Sequence, residues 1–406
     1  MDQALNFRTE STAARDRRVI GLVSGAHFVS HFYILLLPPL FPFVRAEYGV
    51  SYIELGLALA AFNIVSAGLQ TSAGFLTDRI GASAVLIAGL LLSAGAFALA
   101  GLVPSFWFLV AMFAVAGLGN TVYHPADYSI LSRHVSARRM GHAYSMHTFA
   151  GMLGSAVAPP TLLMLQGAVG WRGAFLVAAL LGVLAVGVMI VERDVLGGRI
   201  APAHHRPAEP AAKGEGWKLL FSSPLLRNLV FFVMLAISAG GLQNYSVVAL
   251  GALYGTSLSV ANAALAGYLL MISIGVLLGG LLATRTQRHD LVTVTGLAVV
   301  TLMTLALGLV PLAGAMLIGL MAVGGLAAGC IMPSRDMIVR SLAPAGSFGK
   351  VFGFVTSGFS LGGIVSPLLF GWLMDQGHPR AIFLLGAACS LLSIPTVLGG
   401  RRPRTG

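Results

Sequence analysis

Long apolar runs separated by short polar stretches set the pattern of this 406-residue chain. A helix that crosses the hydrocarbon core of a bilayer needs about 20 mostly apolar residues. Twelve runs reach that length, at roughly 19–44, 52–77, 83–103, 105–132, 140–166, 171–191, 226–253, 258–284, 291–311, 313–341, 349–374 and 379–398. Each predicts a membrane-spanning helix, and Pro38, Pro39 and Pro42 predict a bend at the far end of the first. Residues 1–18 are polar and carry four arginines; the apolar run after them is too long for the core of a secretory signal.

One connection is long. Residues 193–224 contain APAHHRPAEPAAKGEG, whose Pro, Ala and charges predict a flexible linker. The layout is then a tail (1–18), a six-helix bundle (19–192), the linker (193–224), a second six-helix bundle (225–398) and a tail (399–406). The His204–His205 pair in the linker can bind metal, but a solvated linker is the simpler reading.

The two bundles repeat each other in parallel register. GLGNTVYHPADYSILSRH (117–134) returns as GLAAGCIMPSRDMIVRSL (325–342), with Gly117 on Gly325, Pro125 on Pro333 and Asp127 on Arg335 at a spacing of 208. The same offset relates Gly141 to Gly349, Gly154 to Gly362, Pro159 to Pro367, Arg172 to Arg380 and Phe175 to Phe383. The expected fold is an all-α polytopic membrane protein of 12 helices in two pseudo-symmetric bundles, with a substrate site near the midplane between them.

Composition agrees. The chain is 57% hydrophobic and 10% charged, against about 25% charged in an ordinary globular domain, and its mean hydropathy is +0.87. Its 51 glycines suit helices that pack closely in lipid. The net charge of +11 does not predict nucleic-acid binding, because the basic residues sit in short loops. Cys330 and Cys389 fall in different helices, so no disulfide framework is expected.

Placing the N-terminus in the cytoplasm puts twenty-one Lys and Arg on the inner side and only Arg45, Arg172 and Arg380 on the outer, with Arg335 left in the membrane. That asymmetry sets the orientation, with both termini cytoplasmic in a bacterial-type inner membrane.

Polar residues inside apolar runs are the functional candidates. His27 and His31 share a face of the first helix, and His124 and Asp127 share a face of the fourth. With His147, most of these fall at similar depth, counting 1.5 Å of rise per residue. Three readings stay open: a proton-coupling site, since His titrates near neutrality; a structural latch in which Asp127 pairs with Arg79 or Arg133; and a transition-metal site of His27, His124, Asp127 and His147. Arg335 can hold an anionic cargo through its guanidinium fork, or can neutralise Asp127 or the adjacent Asp336. Gln243, Asn244 and Tyr245, with Asn63 and Gln70, can hydrogen-bond cargo or neighbouring helices.

Between the second and third runs lies Gly74-Phe-Leu-Thr-Asp78-Arg79-Ile-Gly81, with a weaker copy at Gly280-Leu-Leu-Ala-Thr284-Arg285. This resembles the signature loop of the major facilitator superfamily, and with the repeat and linker the resemblance covers nearly the whole chain. SHFYILLLPPLFP (30–42) and GLGNTVYHPADYSILS (117–132) are similar to the fosmidomycin-resistance-like branch and to facilitator-type proteins of magnetosome clusters. The chain departs from the superfamily pattern at Ala82 and Ser83, where basic residues are usual. It departs again at Phe113, where many proton-coupled antiporters have arginine, and in the reduced Gly154-Ser-Ala-Val-Ala158-Pro159.

The resemblance implies a secondary transporter working by alternating access, with Gly74, Asp78, Arg79, Gly81 and Arg285 at the gate. The leading expectation is proton-coupled efflux of a small organic molecule by a monomer in the lipid bilayer. Alternatives are transport of a metal ion or chelate, and a non-transporting membrane partner of the same fold. No cofactor or nucleic-acid partner is expected. Neither a phosphate-cradling loop nor a soluble catalytic domain is present in the sequence, so enzymatic activity and direct use of ATP are not expected.

Overall fold

The computed structural model describes residues 12–196, 219–343 and 348–398. Among these, the regular structure is helical throughout. In chain order the helices are α1 (Thr12–Ile34), α2 (Phe41–Tyr48), α3 (Tyr52–Ile80), α4 (Ala82–Leu102), α5 (Phe106–Asn120), α6 (Tyr123–His134) and α7 (Met140–Val191). They continue with α8 (Ser223–Tyr254), α9 (Leu258–Arg285), α10 (His289–Leu309), α11 (Gly314–Leu342), α12 (Phe348–Asp375) and α13 (Pro379–Leu398). The His204–His205 pair, most of the 193–224 linker and the 399–406 tail lie outside the described residues.

Prolines shape the first crossing as expected, and more sharply. Pro38 and Pro39 have no N–H to continue the ladder, so α1 ends at Ile34 and a 3-10 turn, Pro38–Leu40, leads into α2. Gly49 closes α2 in the left-handed region at φ 66°. Ser51 then caps α3 in a reciprocal box with Glu54.

The fourth crossing, expected as one helix over 105–132, is two. Pro125 cannot donate to the carbonyl of Thr121, and its ring crowds that oxygen; the ladder therefore stops between α5 and α6. Its repeat counterpart, Pro333, is carried inside α11.

The fifth and sixth crossings run together in α7. Its 52 residues would extend about 78 Å, more than twice the ~30 Å of hydrocarbon. Gly170, at φ 73° and ψ 168°, breaks it in two, in a conformation that side chains with a Cβ rarely adopt. Among the described residues, eleven apolar segments long enough to cross thus contain twelve crossings.

The repeat seen in sequence is also a repeat of packing. A Cβ on Gly117 would lie 2.4 Å from the carbonyl oxygen of Phe62, and one on Gly325 would lie 2.1 Å from that of Tyr268. Each glycine lets its helix touch the equivalent neighbour's backbone, α5 on α3 and α11 on α9. The two halves meet where α3 packs on α12 and α7 on α9.

Candidate functional site

Helix periodicity builds the first cluster. His27 and His31 stand one turn apart on α1; α6 contributes His124 and Asp127 one turn apart; α7 contributes His147. All five converge. Asp127 Oδ2 shares a 2.9 Å hydrogen bond with His147 Nε2 and lies 3.4 Å from His27 Nδ1. The rings of His27 and His147 stack with centroids 3.7 Å apart and planes at 21°. His31 is 4.6 Å from His27 by centroids and His124 is 5.3 Å from it. Asp127, His147 and His27 are 0%, 1% and 3% exposed.

The cluster sits wholly within the first half, between α1, α6 and α7, rather than between the halves. Gly151 of α7 makes this possible, since a Cβ there would lie 2.5 Å from His27 Cδ2 and 3.0 Å from His31 Cδ2. Gly151→Val is accordingly expected to lower stability by about 1–3 kcal/mol, the usual range for overpacking, and to lower the melting temperature in detergent. An unchanged melting temperature would mean that the rings move aside freely.

Burial makes charge the governing variable here. Asp127 Oδ1 and the Nδ1 atoms of His27 and His147 are buried and have no hydrogen-bond partner among the described residues. The Asp127–His147 pair is electrically neutral whether written as carboxylate with imidazolium or as carboxylic acid with imidazole. Adding or removing one proton leaves a net charge out of reach of water. Such a change favours any rearrangement that rehydrates the site.

A metal ion is the other cation to weigh. His27, Asp127 and His147 each offer one ligand atom, all within 4.8 Å of one another. Ligand atoms of a tetrahedral zinc site, with bonds of about 2.0–2.1 Å, stand roughly 3.3 Å apart. The 2.9 Å between His147 and Asp127 is the length of a hydrogen bond, so an ion held by all three would have to part this pair.

The expected pairing of Asp127 with Arg79 or Arg133 is not what the structure shows. Asp127 is taken by histidines, and Arg133 lies 3.6 Å from Asp78. Asp78 and Arg79 are exposed at the end of α3, and Arg285 is exposed at the end of α9. Gly74 lies in the last turns of α3, and Gly81 links α3 to α4. Nor does Arg335 neutralise Asp127. Its Nε donates to Asp336 Oδ1 at 3.1 Å, and its guanidinium lies against the edge-to-face pair of Phe232 and Phe359, 5.2 Å and 4.8 Å from their centroids. The Arg335 side chain is 11% exposed and that of Asp336 is 44% exposed.

A cavity of about 260 Å³ lies between the halves. The first half lines it with Tyr33, Phe62, Asn63 and Phe113, the second with Gln243, Asn244, Phe359 and Ser366. Asn63, Gln243 and Asn244, three of the residues that the sequence offered as cargo or inter-helix hydrogen-bonders, border this cavity. Tyr245, grouped with them by sequence, is turned away. It is 0% exposed, and its hydroxyl donates to the carbonyl of Pro367 at 2.6 Å. Successive residues on a helix point about 100° apart, which separates Tyr245 from its two neighbours. Arg335 stands one ring behind the cavity wall, since Phe359 touches both.

Several contributors were not found from sequence. Ser155 shares a 3.2 Å hydrogen bond with His31 Nδ1. Tyr128 stacks on His124 at 6.0 Å and tilts against His147 at 5.3 Å. Tyr128 was legible in principle, being one turn beyond His124; Ser155, Phe232 and Phe359 carry no such signal.

The sequence model of the Major Facilitator Superfamily matches residues 23–254 and again 229–406. The chain belongs to this superfamily. Like other Major Facilitator Superfamily members it is a multi-pass membrane protein and a transporter of small molecules. It is 25% identical over 405 residues to the fosmidomycin resistance protein of Escherichia coli (strain K12), covering 93% of this chain and 92% of that one. It is 27% identical over 395 residues to the probable sulfoacetate transporter SauU of Cupriavidus necator, covering 88% and 87%. Among solved structures, it is similar to a bacterial homolog of the human lysosomal transporter Spinster in an inward-facing, unoccupied conformation. The TM-score is 0.75 at 15% identity, over 96% of this chain and 99% of that one. That likeness shows the shared fold of the Major Facilitator Superfamily.

Proposed function

We propose that the protein is a proton-coupled exporter of a small organic molecule bearing a negative charge, working by alternating access from a bacterial inner membrane with both termini in the cytoplasm. The observation that carries this reading is the Asp127–His147 pair, fully buried, 2.9 Å apart and stacked on by His27. Its protonation state changes the charge of the first half in a place without water. The cavity supplies amide hydrogen bonds from Asn63, Gln243 and Asn244 and aromatic walls for the body of the cargo. Arg335, one ring behind the cavity wall, is the anchor for the charged end once Phe359 moves aside, because among the described residues only its Nε is hydrogen-bonded, leaving the terminal nitrogens of the fork for an anion. Export accords with the resistance named for one relative, and an anionic cargo with the sulfoacetate named for another.

Orientation follows from the Lys and Arg asymmetry, which puts the end bearing Tyr52 and Arg172 outside. The halves are joined by hydrogen bonds near that end, as expected of an inward-facing state.

Purified protein in liposomes tests the reading. With a pH difference imposed, labelled sulfoacetate is expected to move against its gradient as protons move down theirs. Cargo exchange that is indifferent to the pH difference would remove proton coupling while leaving transport. Co-movement of cargo and proton in one direction would replace export with uptake.

A further inference from the structure

A second device lies away from the histidines, on the face where α3 meets α12. Asp375, the last residue of α12, accepts the backbone N–H of Tyr52 on Oδ1 and that of Ile53 on Oδ2, both at 2.8 Å. These are the first two residues of α3, which belongs to the other half. A helix leaves its first N–H groups unpaired and carries a partial positive charge at that end. A carboxylate there makes charge-assisted hydrogen bonds. Ser51 and Glu54 already cap α3 from within its own half, so Asp375 adds a cap that only the opposite half can supply.

The same seam runs inward. A Cβ on Gly371 would fall 2.6 Å from the carbonyl of Tyr52, and the side of α3 at Gly56 lies against the carbonyl of Pro367. Tyr245 donates to that Pro367 carbonyl. At the inner end Asn63 Nδ2 donates to the carbonyl of Gly363 at 2.9 Å, and both residues border the cavity. Among the described residues, the hydrogen bonds that join the halves lie along this seam.

We propose that the α3–α12 seam is the outer gate, that Asp375 is its latch, and that Asn63 is the point at which the cavity reads it. When the halves part on that face, the Tyr52 and Ile53 N–H groups lose their carboxylate and Gly363 loses its donor. A cargo that engages the Asn63 amide competes with Gly363 for it, so occupancy and release of the gate draw on one group. The latch rests on the orientation given above, but not on proton coupling or on the identity of the cargo.

The test needs no cargo. In protein carrying Cys330→Ser and Cys389→Ser, Ala239→Cys places a thiol in the cavity wall. Its reaction with a membrane-impermeant maleimide is followed in right-side-out and inside-out vesicles. Asp375→Ala is expected to raise labelling in right-side-out vesicles about tenfold, the change that loss of one charge-assisted pair of hydrogen bonds gives. Asp375→Asn keeps one acceptor and is expected to fall between. Asn63→Asp, which cannot donate to Gly363, is expected to raise labelling several-fold and to add to Asp375→Ala.

A parallel sample keeps the buried Cys389 and omits Ala239→Cys, to report loss of fold. If labelling in right-side-out vesicles does not rise while Cys389 stays unreactive, Asp375 is not a latch. A rise confined to inside-out vesicles supports the latch and overturns the orientation.

Discussion

Asp127→Asn is expected to abolish proton-driven accumulation, bringing the ratio of cargo across the liposome membrane to its equilibrium value, while cargo exchange persists. Asparagine keeps the size of the side chain and an oxygen for His147, but it cannot take up or give up a proton at neutral pH. Exchange should stay within about a hundredfold of the parent, the limit set by weakening one hydrogen bond to a charged group, about 1.5–3 kcal/mol. His147→Gln is expected to give the same split less completely, since His27 remains 3.4 Å from the carboxylate. Flux measured with and without a pH difference separates the two effects. Intact pH-driven accumulation in Asp127→Asn would take the coupling role away from this cluster.

Arg335→Lys is the second large effect. The guanidinium is planar, lies against two phenyl rings and, among the described residues, hydrogen-bonds Asp336 through Nε alone. Lysine keeps the charge but has neither the plane to lie against the rings nor the fork to present two parallel donors. The concentration for half-maximal transport of sulfoacetate is expected to rise by about 10- to 100-fold, as for loss of a charge-assisted hydrogen bond. Uncharged compounds of similar size should change by less than about threefold, since a single group that contacts only the anion is altered. Equal losses for both classes would assign Arg335 to holding α11 against α8 and α12.

Much of this was legible because helices are regular. Four of the five polar residues of the first half, His27, His124, Asp127 and His147, could be placed at similar depth by counting rise per residue, and the repeat at 208 residues marked out the two bundles. Rotation about the helix axis was harder. Depth alone left Tyr245 beside Gln243 and Asn244, whereas the structure turns it onto Pro367. It also left Asp127 free to choose among Arg79, Arg133, Arg335 and the histidines, and the histidines won because Gly151 brings α7 close to α1. The break ahead of Pro125 had its signal in the sequence, but apolar length smoothed over it. Asp375 gave none, since its partners are main-chain N–H groups of a helix 322 residues away.

The small gap between α5 and α3 ties the two devices together. Gly117 presses on the backbone of Phe62, and the next residue, Asn63, holds Gly363 in the other half. Two residues separate the end of α5 from the short helix that carries His124 and Asp127. The short helix is thus linked to the seam through the last turn of α5, the Gly117–Phe62 contact and the step to Asn63. Thickening that contact should slow the rocking of the halves even where cargo and protons still bind as before.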